Sequence, residues 1–254
     1  MLLLQLTKGA LVPHAPLLLP QLASEETRSA SGAIGTAVKS LKFDDYELLV
    51  IVSPHGRQTG VYRKLSGSLK EFGYPGIMLR GTSAGDIASS LADAWRQSLV
   101  DDPIDHGVLV PLALHGPTQV PVIAVSFQDS TTFDRGEGRR IEDEARALAA
   151  AIPDVVGSGS VLFVASANDS AGLSARAPLT ELPRAGELRD ELHRTLAVDV
   201  GKVDGVALQL FEESGSCGLG PLLTLAELFA ARKADVLARE QPVGVGYTVA
   251  VTDD

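Results

Sequence analysis

Short apolar runs closed by proline alternate along this chain with longer stretches of helical periodicity. Leu48-Leu49-Val50-Ile51-Val52 carries five apolar residues without a polar break, as in a strand buried on both faces. Pro54 cannot donate a ladder hydrogen bond, so pairing is expected to stop there. His55 is thereby delivered to the strand's carboxyl end, where ligands collect in open α/β sheets. The same construction occurs earlier, in Ala10-Leu11-Val12-Pro13-His14-Ala15-Pro16. Two apolar runs, each closed by Pro-His, suggest two imidazoles brought to one rim.

The remaining pattern supplies the elements around these corners. Leu2 to Val12 reads as the first strand. Ser24-Glu25-Glu26 opens a helix with a side-chain cap and acids in its first turn. Its apolar face is Ala33, Ile34, Ala37, Val38 and Leu41. Val61 to Leu65 and Ile77 to Leu79 read as short strands about a Gly73-Tyr74-Pro75-Gly76 turn. Thr82 or Ser83 caps a helix burying Ile87, Leu91, Ala94, Trp95 and Leu99. Val120 to Phe127 and Val161 to Ala165 are further buried strands, with a helix over Gly136 to Ile152 between them. Helices follow over Pro183 to Val198, where His193 is expected to be exposed, and over Val206 to Phe211. Leu219 to Arg232 is the last, with Pro221 acceptable in its first turn. Val245 to Val251 closes the chain as a strand. This alternation indicates one α/β domain over residues 1–254, a central largely parallel or mixed β-sheet flanked by helices.

Composition narrows the function classes. Of the 254 residues 45% are hydrophobic and 21% charged, enough for a sizeable core. The formal charge of −10 argues against nucleic acid as the main partner. No run approaches the roughly 18 apolar residues of a membrane span. The apolar start soon meets Gln5 and Lys8 and reads as a strand, not a signal peptide. Cys217 is the only cysteine, so no internal disulfide forms and a reducing cytoplasm fits.

Two neutral imidazoles and a carboxylate can hold Fe(II) with positions left open for substrate and dioxygen. Zinc or another divalent metal accepts similar ligands, thiolate included. His14 and His55 are the candidate histidine ligands, and Glu212, Glu213 and Cys217 offer an anionic third. The structural alternative for each histidine is a ring packed under a loop and bonded to a backbone carbonyl. For Cys217 it is a buried, inert thiol. Asp105-His106-Gly107 combines a helix cap, a candidate functional imidazole and a residue permitting close backbone approach. His115 lies about two turns beyond His106. No phosphate loop, His-Glu-x-x-His pair or nucleophile elbow is present.

Taken together, Val12-Pro13-His14-Ala15-Pro16, Ser53-Pro54-His55-Gly56 and Asp105-His106-Gly107-Val108-Leu109-Val110-Pro111-Leu112 resemble the class III extradiol ring-cleavage dioxygenases, of the protocatechuate 4,5-dioxygenase β-subunit type. Glu213-Ser214-Gly215-Ser216-Cys217-Gly218 extends the likeness across most of the chain. The resemblance implies a catalytic-subunit-like α/β fold and Fe(II) held by His14 and His55. It also implies a pocket for a small catechol-like aromatic and dioxygen, lined by His106 with Asp105 and Ser170. Two departures stand out. The family's acid/base histidine is replaced by Ala171, which leaves His106 or His115 to serve. Cysteine before glycine is the pattern of the related Memo-like proteins, so the third ligand is Cys217 or Glu213. The alternative to ring cleavage is thus a Memo-like metal-binding protein on the same fold, redox-active or partner-binding. The sequence leaves open whether the chain forms a homo-oligomer.

Overall fold

The computed structural model describes residues 6–130, 133–156 and 159–253. Among them lie strands β1 (Leu6–Val12), β2 (Leu48–Gly56), β3 (Gly60–Tyr62), β4 (Ser66–Leu69), β5 (Tyr74–Arg80), β6 (Ser98–Val100), β7 (Val122–Gln128), β8 (Val161–Ser166), β9 (Ala234–Glu240) and β10 (Tyr247–Thr252). The helices are α1 (Arg28–Ser40), α2 (Gly85–Trp95), α3 (His106–His115), α4 (Arg135–Val155), α5 (Ala185–Leu196), α6 (Val203–Ser214) and α7 (Leu219–Leu228). Eight strands form one mixed sheet in the order β6-β3-β7-β2-β8-β1-β10-β9, and β4 and β5 form a separate hairpin. The centre β7-β2-β8-β1 is parallel, while β3, β10 and β9 join antiparallel.

Period-two alternation divides the core between the sheet's two faces. Val50, Val52, Phe163 and Val125 face one cluster with Trp95, Leu148, Leu192, Leu210 and Leu222 from α2, α4, α5, α6 and α7. Leu49, Ile51, Val164 and Ala124 face the other, with Ile34 and Val38 of α1 and Val108 to Leu112 of α3. Both faces are covered, which accounts for the unbroken apolar runs. The expected single α/β domain with a mixed central sheet is the architecture observed.

Several local expectations are corrected. β2 does not stop at Pro54. Its pairing with β7 slips between Ser53 and Gly56 and then resumes, because proline removes one ladder donor without ending the extended chain. Helix α1 begins at Arg28, later than expected, since Ser24 and Thr27 close a turn on each other ahead of it. Leu99 leaves the α2 helix for β6, Ala94 is exposed, and Ala88 and Ala92 take the buried face. His193 is mostly buried, its Nε2 2.8 Å from Thr248 Oγ1. Helix α7 ends at Leu228, and β9 follows where no element was expected. Leu2 to Gln5 of the expected first strand lie outside the described residues.

Candidate metal centre

Strands β1 and β2 both pair with β8, with Val12 opposite Ser166 and Val52 opposite Ala165. His14 and His55 leave just past these positions, on either side of the end of β8. Their Nε2 atoms meet at 3.0 Å. Cys217 Sγ lies 3.4 Å from His14 Nε2. The three donor atoms lie within 4.8 Å of one another, the one His/Cys/Asp/Glu group among the described residues placed to hold a metal ion.

Each ring is oriented through its other nitrogen. His55 Nδ1 donates to Asp129 Oδ1 at 3.0 Å. His14, fully buried, has Nδ1 2.9 Å from Ser166 Oγ. Ser166 spends its single proton on the Gly107 carbonyl, 2.6 Å away. Toward His14 it must therefore accept, so His14 carries its proton on Nδ1 and leaves Nε2 a free lone pair. Histidine ligands are commonly held in this way, by a partner on the non-ligating nitrogen.

Asn168, in the turn after β8, ties the His14 and Cys217 segments together. Its Oδ1 accepts from the His14 backbone N–H at 3.2 Å, and its carbonyl accepts from Ser216 Oγ at 2.9 Å. Helix α6 ends at Gly215 in the left-handed region, φ 65°. A Cβ at Gly218 would come within 2.2 Å of Ala167. Only glycine lets the Cys217 loop lie this close to the end of β8.

The electrostatics follow from burial and proximity. Burial, His55 and His106 together hold His14 well below the ordinary imidazole value. Burial opposes charge on His55 too, but Cys217 and Asp129 outweigh it and raise the pKa to about 10. In the metal-free protein His55 Nε2–H is thus the donor and His14 Nε2 the acceptor. An ion shared by the two rings would replace that proton. Two imidazole nitrogens and a sulfur around one point suit iron, zinc or copper better than a hard cation.

His106 opens α3 beside this cluster. Asp105 caps the helix, its Oδ1 accepting from the Gly107 and Val108 N–H groups at 2.6 and 3.3 Å. Ser53 Oγ and Tyr62 Oη donate to the same carboxylate. A Cβ at Gly107 would meet Ser53 Oγ at 2.1 Å, so this turn packs directly on β2. The His106 ring stacks on His55, centroids 4.3 Å apart, and meets Phe72 edge-on at 4.9 Å. Burial and His55 lower its pKa to about 3. Its ring nitrogens make no hydrogen bond to the described residues. His55, Tyr62, Phe72, Asp105 and His106 line a cavity of about 590 Å³ in front of the cluster.

Other candidates lie elsewhere. Glu213 turns away to Arg184, Nη1 to Oε2 2.9 Å. His115, at the far end of α3, stacks on Phe43 at 4.2 Å and accepts its backbone N–H. Ser170 is buried, donating to the Ser214 carbonyl, and does not line the cavity. Asp129, Ser166, Asn168, Tyr62 and Phe72 were not singled out from the sequence. Asp129 alone carried a signal, standing one residue beyond a buried strand at the same sheet edge.

No protein-family model matches the chain, and no curated protein matches it. Among solved structures it is similar to the uncharacterized protein JW3007 from Escherichia coli K12, with a TM-score of 0.61 and 16% sequence identity. The alignment covers 97% of this chain and 99% of that one. At that identity the likeness establishes the shared fold and no activity.

Proposed function

We propose that the protein is a non-haem Fe(II)-dependent oxidoreductase of the class III extradiol dioxygenase type, acting on a small catechol-like aromatic with dioxygen. The observation that carries this reading is the convergence of His14 Nε2, His55 Nε2 and Cys217 Sγ beside a cavity of about 590 Å³, roomy enough to admit a small aromatic. Bound there, Fe(II) would offer open positions for a diol and for dioxygen. We assign the acid/base role to His106, the neutral imidazole at the cavity wall, whose pKa must rise from about 3 toward the working pH when an anionic catecholate sits beside it. Phe72 packs edge-on against His106 and adds an aromatic ring to the cavity wall. Tyr62 and Ser53 hold Asp105, which fixes the start of α3 and hence His106.

The test is anaerobic Fe(II) loading, followed by oxygen and a panel of catechols. A coloured ring-opened product from at least one of them supports the reading. Metal bound without product from any catechol rejects ring cleavage.

Two observations favour a second reading. The third donor is a thiol, not a carboxylate, and Ala171 stands where the family's acid/base histidine is expected. Both features fit a Memo-like metal-binding protein on this fold without ring cleavage. Stoichiometric metal, lost in His14→Ala and accompanied by no turnover, selects it.

A further inference from the structure

Helix α3 contains a proline, Pro111, well inside its span. Proline has no N–H, so the carbonyl four residues earlier, that of Gly107, loses its helical donor. A buried carbonyl without a donor is costly. Here Ser166 Oγ fills the place, donating to Gly107 O at 2.6 Å in a buried contact. The missing side chain at Gly107 lets this turn sit against Ser53 on β2, which brings its carbonyl within reach of the end of β8.

We propose that Pro111 is a positioning residue for the metal centre. By leaving the Gly107 carbonyl open it commits the Ser166 hydroxyl proton to that carbonyl. That commitment fixes His14 as the Nδ1–H tautomer. A serine hydroxyl has one proton and can face the ring as donor or acceptor. As donor it would place the ring proton on Nε2, the atom that points at His55 and Cys217. A backbone vacancy in one helix thus decides which nitrogen of a ligand on another element is free. The inference rests on the metal-centre reading for its functional meaning, but the tautomer is a property of the metal-free chain.

Two variants test it, Pro111→Ala and Ser166→Ala, with Ser166→Thr as the conservative rescue. In Pro111→Ala a new N–H reaches the Gly107 carbonyl and competes with Ser166. The helix gains a bond, so the melting temperature should hold or rise. Two-bond 1H–15N correlation spectra of the metal-free protein report the His14 tautomer directly. Wild type should show Nδ1–H, and Pro111→Ala a growing share of Nε2–H. Ser166→Ala should lose the single-tautomer signature, and Ser166→Thr should keep it. Zn(II) affinity should fall about 10–100-fold in Pro111→Ala and Ser166→Ala, as for loss of other groups that orient metal ligands.

A wild-type His14 protonated on Nε2 overturns the inference. So does a Pro111→Ala protein of raised stability whose tautomer is unchanged. A wild type that binds no metal removes the metal-centre reading, while the tautomer spectra still decide the role of Pro111.

Discussion

His14 Nε2 and His55 Nε2 face each other across 3.0 Å although their strands are not neighbours. β8 lies between β1 and β2, so the two backbones stand roughly 10 Å apart, two strand spacings. The side chains reach over the end of β8 from either side and close that gap. Such an approach of a buried and a largely buried imidazole is costly unless one proton or one ion is shared between them. His14→Ala or His55→Ala should therefore abolish tight metal binding, while Glu213→Ala leaves it intact. Equilibrium dialysis with Zn(II) or anaerobic Fe(II) measures this, and loss of metal in Glu213→Ala would contradict the ligand set.

Asp129 is exposed, yet its carboxylate takes the Nδ1–H of His55. Asp129→Ala should leave the fold intact and lower metal affinity about 10–100-fold. Competition with a chromophoric chelator reads the change. An affinity equal to wild type would mean that His55 needs no partner to be held.

Much of this architecture was legible in the chain because burial on both sheet faces leaves an unmistakable imprint. Leu48 to Val52 and Val161 to Ala165 have no polar break, since helices cover them on both sides. The Pro-His corners were legible because proline interrupts a strand's ladder: β1 ends before Pro13, and at Pro54 the pairing of β2 slips before it resumes. What escaped reading was set by tertiary contact. β9 is an edge strand in which five of seven residues are Ala, Leu, Arg or Glu, whose local preference is helical, and pairing with β10 holds it extended. Glu213 is as good a ligand by type as Cys217. It faces the other way because α6 ends with Glu213 over Arg184, and the left-handed turn at Gly215 carries Cys217 back to β8. His115 looked like a second catalytic histidine, yet the pitch of α3 carries it to Phe43.

His106→Phe should keep the stacking surface on His55 while removing the base. Metal affinity should stay near wild type, and any turnover of a catechol should fall roughly 10²–10⁴-fold. His115→Ala should cost about 1–2 kcal/mol of stability from the lost Phe43 contacts and leave turnover unchanged. Steady-state kinetics beside thermal melts separate the two, and a His115→Ala variant that is stable but inactive would reverse their assignment.

A second buried cluster governs acid stability. Asp169 and Arg189 are each 1% exposed and paired at 3.1 Å, with Thr248 also donating to the carboxylate. Burial opposes charge on Asp169, but His193, Arg189 and Thr248 outweigh it and keep its pKa below the ordinary aspartate value. A depressed carboxylate stabilises the fold above its unfolded pKa, and the contribution is lost as pH falls through the folded value. Acid unfolding should therefore steepen below about pH 4, and Asp169→Asn should flatten that part of the profile. Arg189→Ala should cost about 3–5 kcal/mol by stranding the buried carboxylate. Urea titrations between pH 7 and pH 3 measure both, and parallel profiles for wild type and Asp169→Asn would refute the assignment.

The shared ion is the centre of this account, and X-ray absorption at the zinc edge of the Zn(II)-loaded protein addresses it most directly. The predicted result is one sulfur at about 2.3 Å and imidazole nitrogens at about 2.0–2.1 Å, with the sulfur shell absent in Cys217→Ser. A zinc shell of oxygen and nitrogen alone in the wild type, or a protein that takes up no zinc, would contradict it.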